Sequence, residues 1–133
     1  MQVIAWAPEL ATGMIELDDL HRAMIDAMQK VIQIDDALFE PAFRDFVASV
    51  ESDFRGEETA MEMVDYPGAR AHCEQHARTL AALHHTLSQV MRGDVAIGKH
   101  TLGLLFQWFT VHIATMDRKL ALACVVPGSR RDN

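Results

Sequence analysis

Asp53 and Glu57 stand four residues apart, as do His72 and His76, with a Tyr66-Pro67-Gly68 break between the two pairs. On a helix, residues at i and i+4 lie one above the other, so each pair can aim two donors at one point. Two such pairs on neighbouring helices can face each other across a bundle core, which is how helical bundles build internal metal sites. His21, His112 and Asp117 extend the set to four imidazoles and three carboxylates. Nitrogen and oxygen donors without thiolate favour iron, manganese or zinc, and their number suits two ions better than one.

Elements that position these donors follow from hydrophobic spacing. Leu17, Leu20, Met24, Met28, Val31 and Ile32 form an apolar stripe that predicts a first helix from about Leu17 to Leu38, with His21 on the stripe. A second helix is predicted to start at Pro41, where a missing N–H costs nothing. Its stripe of Phe43, Phe46, Val47, Val50, Phe54, Met61 and Val64, continued through the middle, lands on Asp53 and Glu57. Carboxylates on a buried stripe are rare unless paired, hydrogen-bonded or bound to metal, because removing the charge from water costs several kcal/mol.

The third helix is predicted from about Gly68 to Met91, closed by Gly93, with His72 and His76 in line with Leu80, Leu83, Leu87 and Val90. The fourth is predicted from about Ile97 to Cys124, with Leu102, Leu105, Phe109, His112, Met116 and Leu120 facing inward. Asp117, five residues after His112, is displaced around that helix but reaches the same cavity from the next turn. The expectation is an all-α, antiparallel up-down-up-down four-helix bundle forming a single domain over residues 1–133. It comprises an extended N-terminal arm (1–16) packed down by Ile4 and Trp6, the bundle (17–124) and a fraying polar tail (125–133).

At 133 residues the chain can bury a core without staples. A formal charge of −7 with dispersed Lys and Arg argues against nucleic acid. No apolar run approaches the roughly 18 residues that a membrane span requires, and no export signal opens the sequence. Two cysteines, Cys73 and Cys124, make no disulfide framework. The expectation is a cytoplasmic protein, monomeric or weakly homo-oligomeric.

Read as an ordered set, the motifs resemble the hemerythrin family in its single-domain bacterial form. The resemblance covers nearly the whole chain. It comprises a Trp in the arm, Asp18-x-x-His21, Phe54-x-x-Glu57-Glu58-x-x-Met61, Tyr66-Pro67, His72-x-x-x-His76 and Trp108-x-x-x-His112-Ile113-x-x-x-Asp117. It implies a non-haem diiron centre of two iron ions joined by an oxo or hydroxo bridge. His72, His76 and His112 would hold one iron and His21 the other, with Glu57 and Asp117 bridging. The family's second iron takes a further histidine immediately before Phe54, where this chain has Asp53. Three outcomes follow: Asp53 ligates directly, acts through water, or leaves that iron short of a ligand.

Other features have ordinary readings. Met24, Met28, Met61 and Met116 are core gap-fillers, Cys73 is structural, and Glu58 is solvated or placed just behind a ligand. His84, His85 and His100 belong on the surface, and Tyr66 and Trp108 near the bundle ends. The resemblance implies an O2-binding protein for oxygen binding, storage, delivery or sensing, with NO and peroxide as further candidate ligands. Two alternatives stand beside it: a diiron oxidase, ferroxidase or peroxide-reducing enzyme, and a signalling module with a degenerate metal site.

Overall fold

The computed structural model describes residues 3–125. Its helices are α1 (Ile15–Gln33), α2 (Asp36–Met63), α3 (Ala69–Val90), α4 (Val95–His112) and α5 (Arg118–Val125), with no strand among the described residues. A five-residue π-helical turn, Ile113–Asp117, joins α4 to α5, so the two read as one long fourth helix. The helices pack in a ring, α1 on α2, α2 on α3, α3 on α4 and α4 back on α1, giving the expected four-helix bundle.

The break between the first two helices falls at Ile34 and Asp35, not between Leu38 and Pro41 as the position of the proline suggests. Pro41 lies within α2. The physical reason is aromatic burial: Phe39 and Phe43, four apart, are both fully buried and stack at 5.5 Å between ring centroids. Carrying the helix back past the proline places both on the inner face. Gly98 of α4 completes that contact, since a Cβ there would overlap the ring of Phe39.

Along α1 the buried face is Leu17, His21, Met24, Ile25, Met28 and Val31. Leu20, expected on this face, is 45% exposed, because it lies about 100° of helical rotation from His21. Gly93, at a φ of +101°, closes the turn after α3, where a residue lacking Cβ adopts the left-handed conformation without penalty. Asp94 then caps α4 by accepting a hydrogen bond from the Ile97 N–H at 3.0 Å.

The N-terminal arm is extended apart from a short 3-10 turn at Pro8–Leu10. Ile4 is buried, and the guanidinium of Arg22 lies 4.1 Å from the Trp6 ring centroid. Arg118 donates to the backbone oxygens of Glu9 at 2.6 Å and Ala11 at 3.3 Å, strapping the arm to the last helix. Of the predicted tail, 125–133, residue 125 closes α5 and the rest lies outside the described residues.

Candidate metal centre

Apart from Thr86, the polar side chains of the core gather at one level of the bundle. His21 comes from α1, Glu57 from α2, His72 and His76 from α3, His112 from the end of α4 and Asp117 from the π turn. All four imidazoles and Asp117 are buried, and Glu57 is only 10% exposed. Donor atoms of Glu57, His72, His76, His112 and Asp117 all lie within 4.8 Å of one another.

Each carboxylate divides its oxygens between two groups of imidazoles. Glu57 Oε1 lies 2.8 Å from His72 Nε2 and 3.0 Å from His76 Nε2. Asp117 Oδ1 lies 2.9 Å from His72 Nε2 and 3.2 Å from His112 Nε2. The opposite oxygens turn to His21 Nε2, with Asp117 Oδ2 at 2.9 Å and Glu57 Oε2 at 3.9 Å. The carboxylates thus stand between a three-imidazole half and a one-imidazole half.

Close approach here is not hydrogen bonding. The four Nε2 atoms, Glu57 Oε1 and both Asp117 oxygens are buried without a hydrogen-bond partner among the described residues. Lone pairs so close yet so poorly aimed at one another converge on shared points between them. An unsatisfied buried polar atom costs about 1–3 kcal/mol, so a cluster of them calls for a common partner, and a cation meets that need for nitrogen and carboxylate donors alike. The donor set fits metal.

Protons compete for the same atoms. Burial favours the neutral rings of His21 and His72, yet the Asp117 and Glu57 carboxylates outweigh it and push each up to about 9. Burial would raise Glu57, but His21, His72 and His76 hold it down to about 2. Asp117 is likewise held well below the usual carboxylate range against the effect of burial, chiefly by His112, His21 and His72.

A surrounding layer orients the rings. His76 Nδ1 lies 2.9 Å from Glu58 Oε2 and His112 Nδ1 2.8 Å from Gln75 Oε1. A proton held on each Nδ1 leaves the Nε2 lone pair directed inward. Phe54 stacks on His76 at 3.8 Å and 5°, and Trp108 on His112 at 4.5 Å and 17°. Phe109 sets its ring edge-on to His21 at 5.2 Å. Trp108 therefore packs against the donor cluster and not near a bundle end.

Glu58, expected to be solvated or to stand behind a ligand, is partly exposed and contacts His76 Nδ1. Gln75 was not singled out by the sequence, and its only signal there is its position three residues after His72. His84, His85 and His100 are exposed, as expected. Neither His21 nor Asp53 is among the five mutually close donors; His21 meets the outer oxygens of Asp117 and Glu57, whereas Asp53 is half-buried and makes no ion pair or hydrogen bond among the described residues. Burial, then the negative charge of Glu57, raise its pKa, while His21 opposes them.

The chain is 31% identical over 120 residues to a protein named bacteriohemerythrin from Ralstonia nicotianae, an alignment spanning 90% of this chain and 88% of that protein. The chain belongs to the hemerythrin family. No protein-family model matches it, and no solved structure matches it significantly. Hemerythrin membership implies iron binding, and the convergent His, Glu and Asp donors are the candidate place for it. No described helix of this hemerythrin is long and apolar enough to cross a membrane.

Proposed function

We propose that this protein binds molecular oxygen at a non-haem diiron centre. One observation carries the reading: Glu57 and Asp117 each turn one oxygen toward His72, His76 and His112 and the other toward His21. A single ion would need one oxygen from each carboxylate, and the second oxygens would then have no reason to meet a separate buried imidazole. Two ions side by side use all of them.

In this reading His72, His76 and His112 would hold one iron and His21 the other, and Glu57 and Asp117 would serve both. Bound ferrous iron supplies the electrons that O2 binding draws on. Everything else is the work of the chain. Glu58 and Gln75 retain a proton on Nδ1 of His76 and His112, which keeps their Nε2 atoms available. Phe54, Trp108 and Phe109 wall the rings with apolar surface and limit water around the centre. O2 would bind in the half beside His21, which has fewer protein donors than the half formed by His72, His76 and His112.

Anaerobic loading with ferrous iron tests the proposal, with a metal count per chain and visible spectra before air, after air and after argon purging. The expected result is two irons and an oxygenated spectrum that reverses on purging. Two irons that oxidise at once and do not reverse would replace carriage with O2 consumption, the chemistry toward which the Asp53 carboxylate leans. One iron or none would refute the diiron reading.

A further inference from the structure

A groove of about 470 Å³ opens between α3 and α4, and none of the clustered donors lines it. It follows α3 from Arg78 to Thr86, a rise of about 12 Å. Its floor is Leu83 and Leu105, both buried, and its walls include Ala82, Leu104 and Trp108. Leu104 is 51% exposed, so a large apolar side chain stands in water at the rim. Small-molecule sites have volumes of roughly 300–1,000 Å³ and mostly apolar walls with a few placed polar groups, and this groove fits that description.

Its polar groups fall into two sets. At one end the hydroxyls of Thr86 and Thr101 satisfy each other at 3.2 Å, so that end needs no polar partner. At the other end the side chains of Arg78 and Thr79 make no hydrogen bond or ion pair among the described residues. A guanidinium presents a planar fork of N–H donors that matches a carboxylate, and a hydroxyl beside it supplies one donor more.

The two ends together define a ligand. A free cation at one end of a slot that is otherwise apolar selects one anionic group joined to one apolar body. The elongated floor favours a chain that lies along the helices and removes Leu83, Leu104 and Leu105 from water. A bilayer matches less well, because anionic membranes recruit clusters of basic residues. The groove offers one arginine, on a chain with a formal charge of −7.

We propose that the α3–α4 groove binds a single fatty carboxylate, with its headgroup at Arg78 and Thr79 and its chain laid over Leu83 and Leu105 toward Thr86. Ala82 and Leu104 flank the chain on opposite helices. Trp108 lines the same groove and stacks on His112 at 4.5 Å, so the ligand lies one ring away from the donor cluster. The site is independent of the diiron proposal, since no donor takes part in it and it does not depend on which metal the cluster holds.

The test is calorimetric titration of the full chain with decanoate below its micellar concentration. Trp108 emission is followed in parallel in a Trp6→Phe background, where it is the sole tryptophan. One decanoate per chain should bind and shift that emission. Decanol, which lacks the charge, should bind about fivefold more weakly to the wild-type chain, and decanoate should bind about fivefold more weakly to Arg78→Gln. Ala82→Glu puts a carboxylate in the wall at an exposed helical position that glutamate suits, so it should keep its helical circular dichroism while losing about tenfold or more in decanoate affinity. Absence of decanoate binding, uptake of many molecules per chain without a Trp108 response, or equal affinities for decanoate and decanol would each overturn the inference. So would unchanged affinity in a folded Ala82→Glu variant, or binding to anionic phospholipid vesicles in place of free decanoate. None of these results bears on the count of irons.

Discussion

Removing metal leaves the cluster to be held by protons, and this gives the metal-free protein an unusual dependence on pH. His21 and His72 titrate near 6.5 in the unfolded chain and at about 9 in the fold, where Asp117 and Glu57 overcome the effect of burial. Their stabilisation is fully present below pH 6.5 and is lost as pH rises through about 9. A rise from 6.5 to about 9 corresponds to about 3 kcal/mol. Both rings lean on the same two carboxylates, so their contributions overlap and the cluster gains about 3 kcal/mol in all. At the acid end, Glu57 is depressed from 4.5 to about 2, so its contribution is present above pH 4.5 and fades below. Urea unfolding with a chelator present, repeated between pH 3 and pH 9.5, should therefore show a plateau between about 4.5 and 6.5 with losses on both sides. Metal affinity should move the other way, rising from pH 6.5 toward 9 with proton release on binding, because the ion needs neutral imidazoles. Stability of the metal-free protein that is flat or increasing between pH 6.5 and 9 would refute the assigned protonation.

Further perturbations separate packing from ligand orientation. Phe54→Ala removes a ring that is 3% exposed and should destabilise the protein by about 3–5 kcal/mol, read by urea unfolding. Because that ring also stacks on His76, metal should bind less tightly in any folded fraction. Glu58→Gln and Gln75→Leu should each lower metal affinity by about 10–100-fold in calorimetric titration with little change in thermal midpoint, since Glu58 is partly exposed and both act by orienting a ring. Gly98→Val should cost about 1–3 kcal/mol with metal stoichiometry unchanged, because its side chain would press on Phe39 and Val90, away from the cluster.

Much of the bundle was legible in the sequence because burial follows helical period. His72 and His76 continue the line of Leu83 and Val90, and both are buried as that line requires. Periodicity was less informative where it had to yield to a particular contact. Pro41 marks a permissible helix start, and nothing short-range says that Phe39 will be needed inside; the glycine that receives its ring lies 59 positions later, at Gly98. Gln75 was missed for a similar reason. Its role depends on which helix lies beside α3 at that height, and spacing within α3 carries no such information.

Asp117 and Met116 show how one backbone adjustment can reverse an inference from spacing. On a continuous α-helix Met116, four residues after His112, would share its inner face, and Asp117 would swing away by a further 100°. The π turn at Ile113–Asp117 widens the helix so that residues five apart align, and the two exchange roles: Asp117 is fully buried and Met116 only partly. The widened turn forgoes regular α-helical bonding in the middle of the long fourth helix. What it yields is a carboxylate with one oxygen 3.2 Å from His112 and the other 2.9 Å from His21 on the neighbouring α1. Asp53 makes the complementary point, since it lies on an unbroken α-helix four residues before Glu57 and yet stays out of the convergent group. Placement on the right face is therefore necessary for a donor here, and the reach and aim of the individual side chain decide the rest.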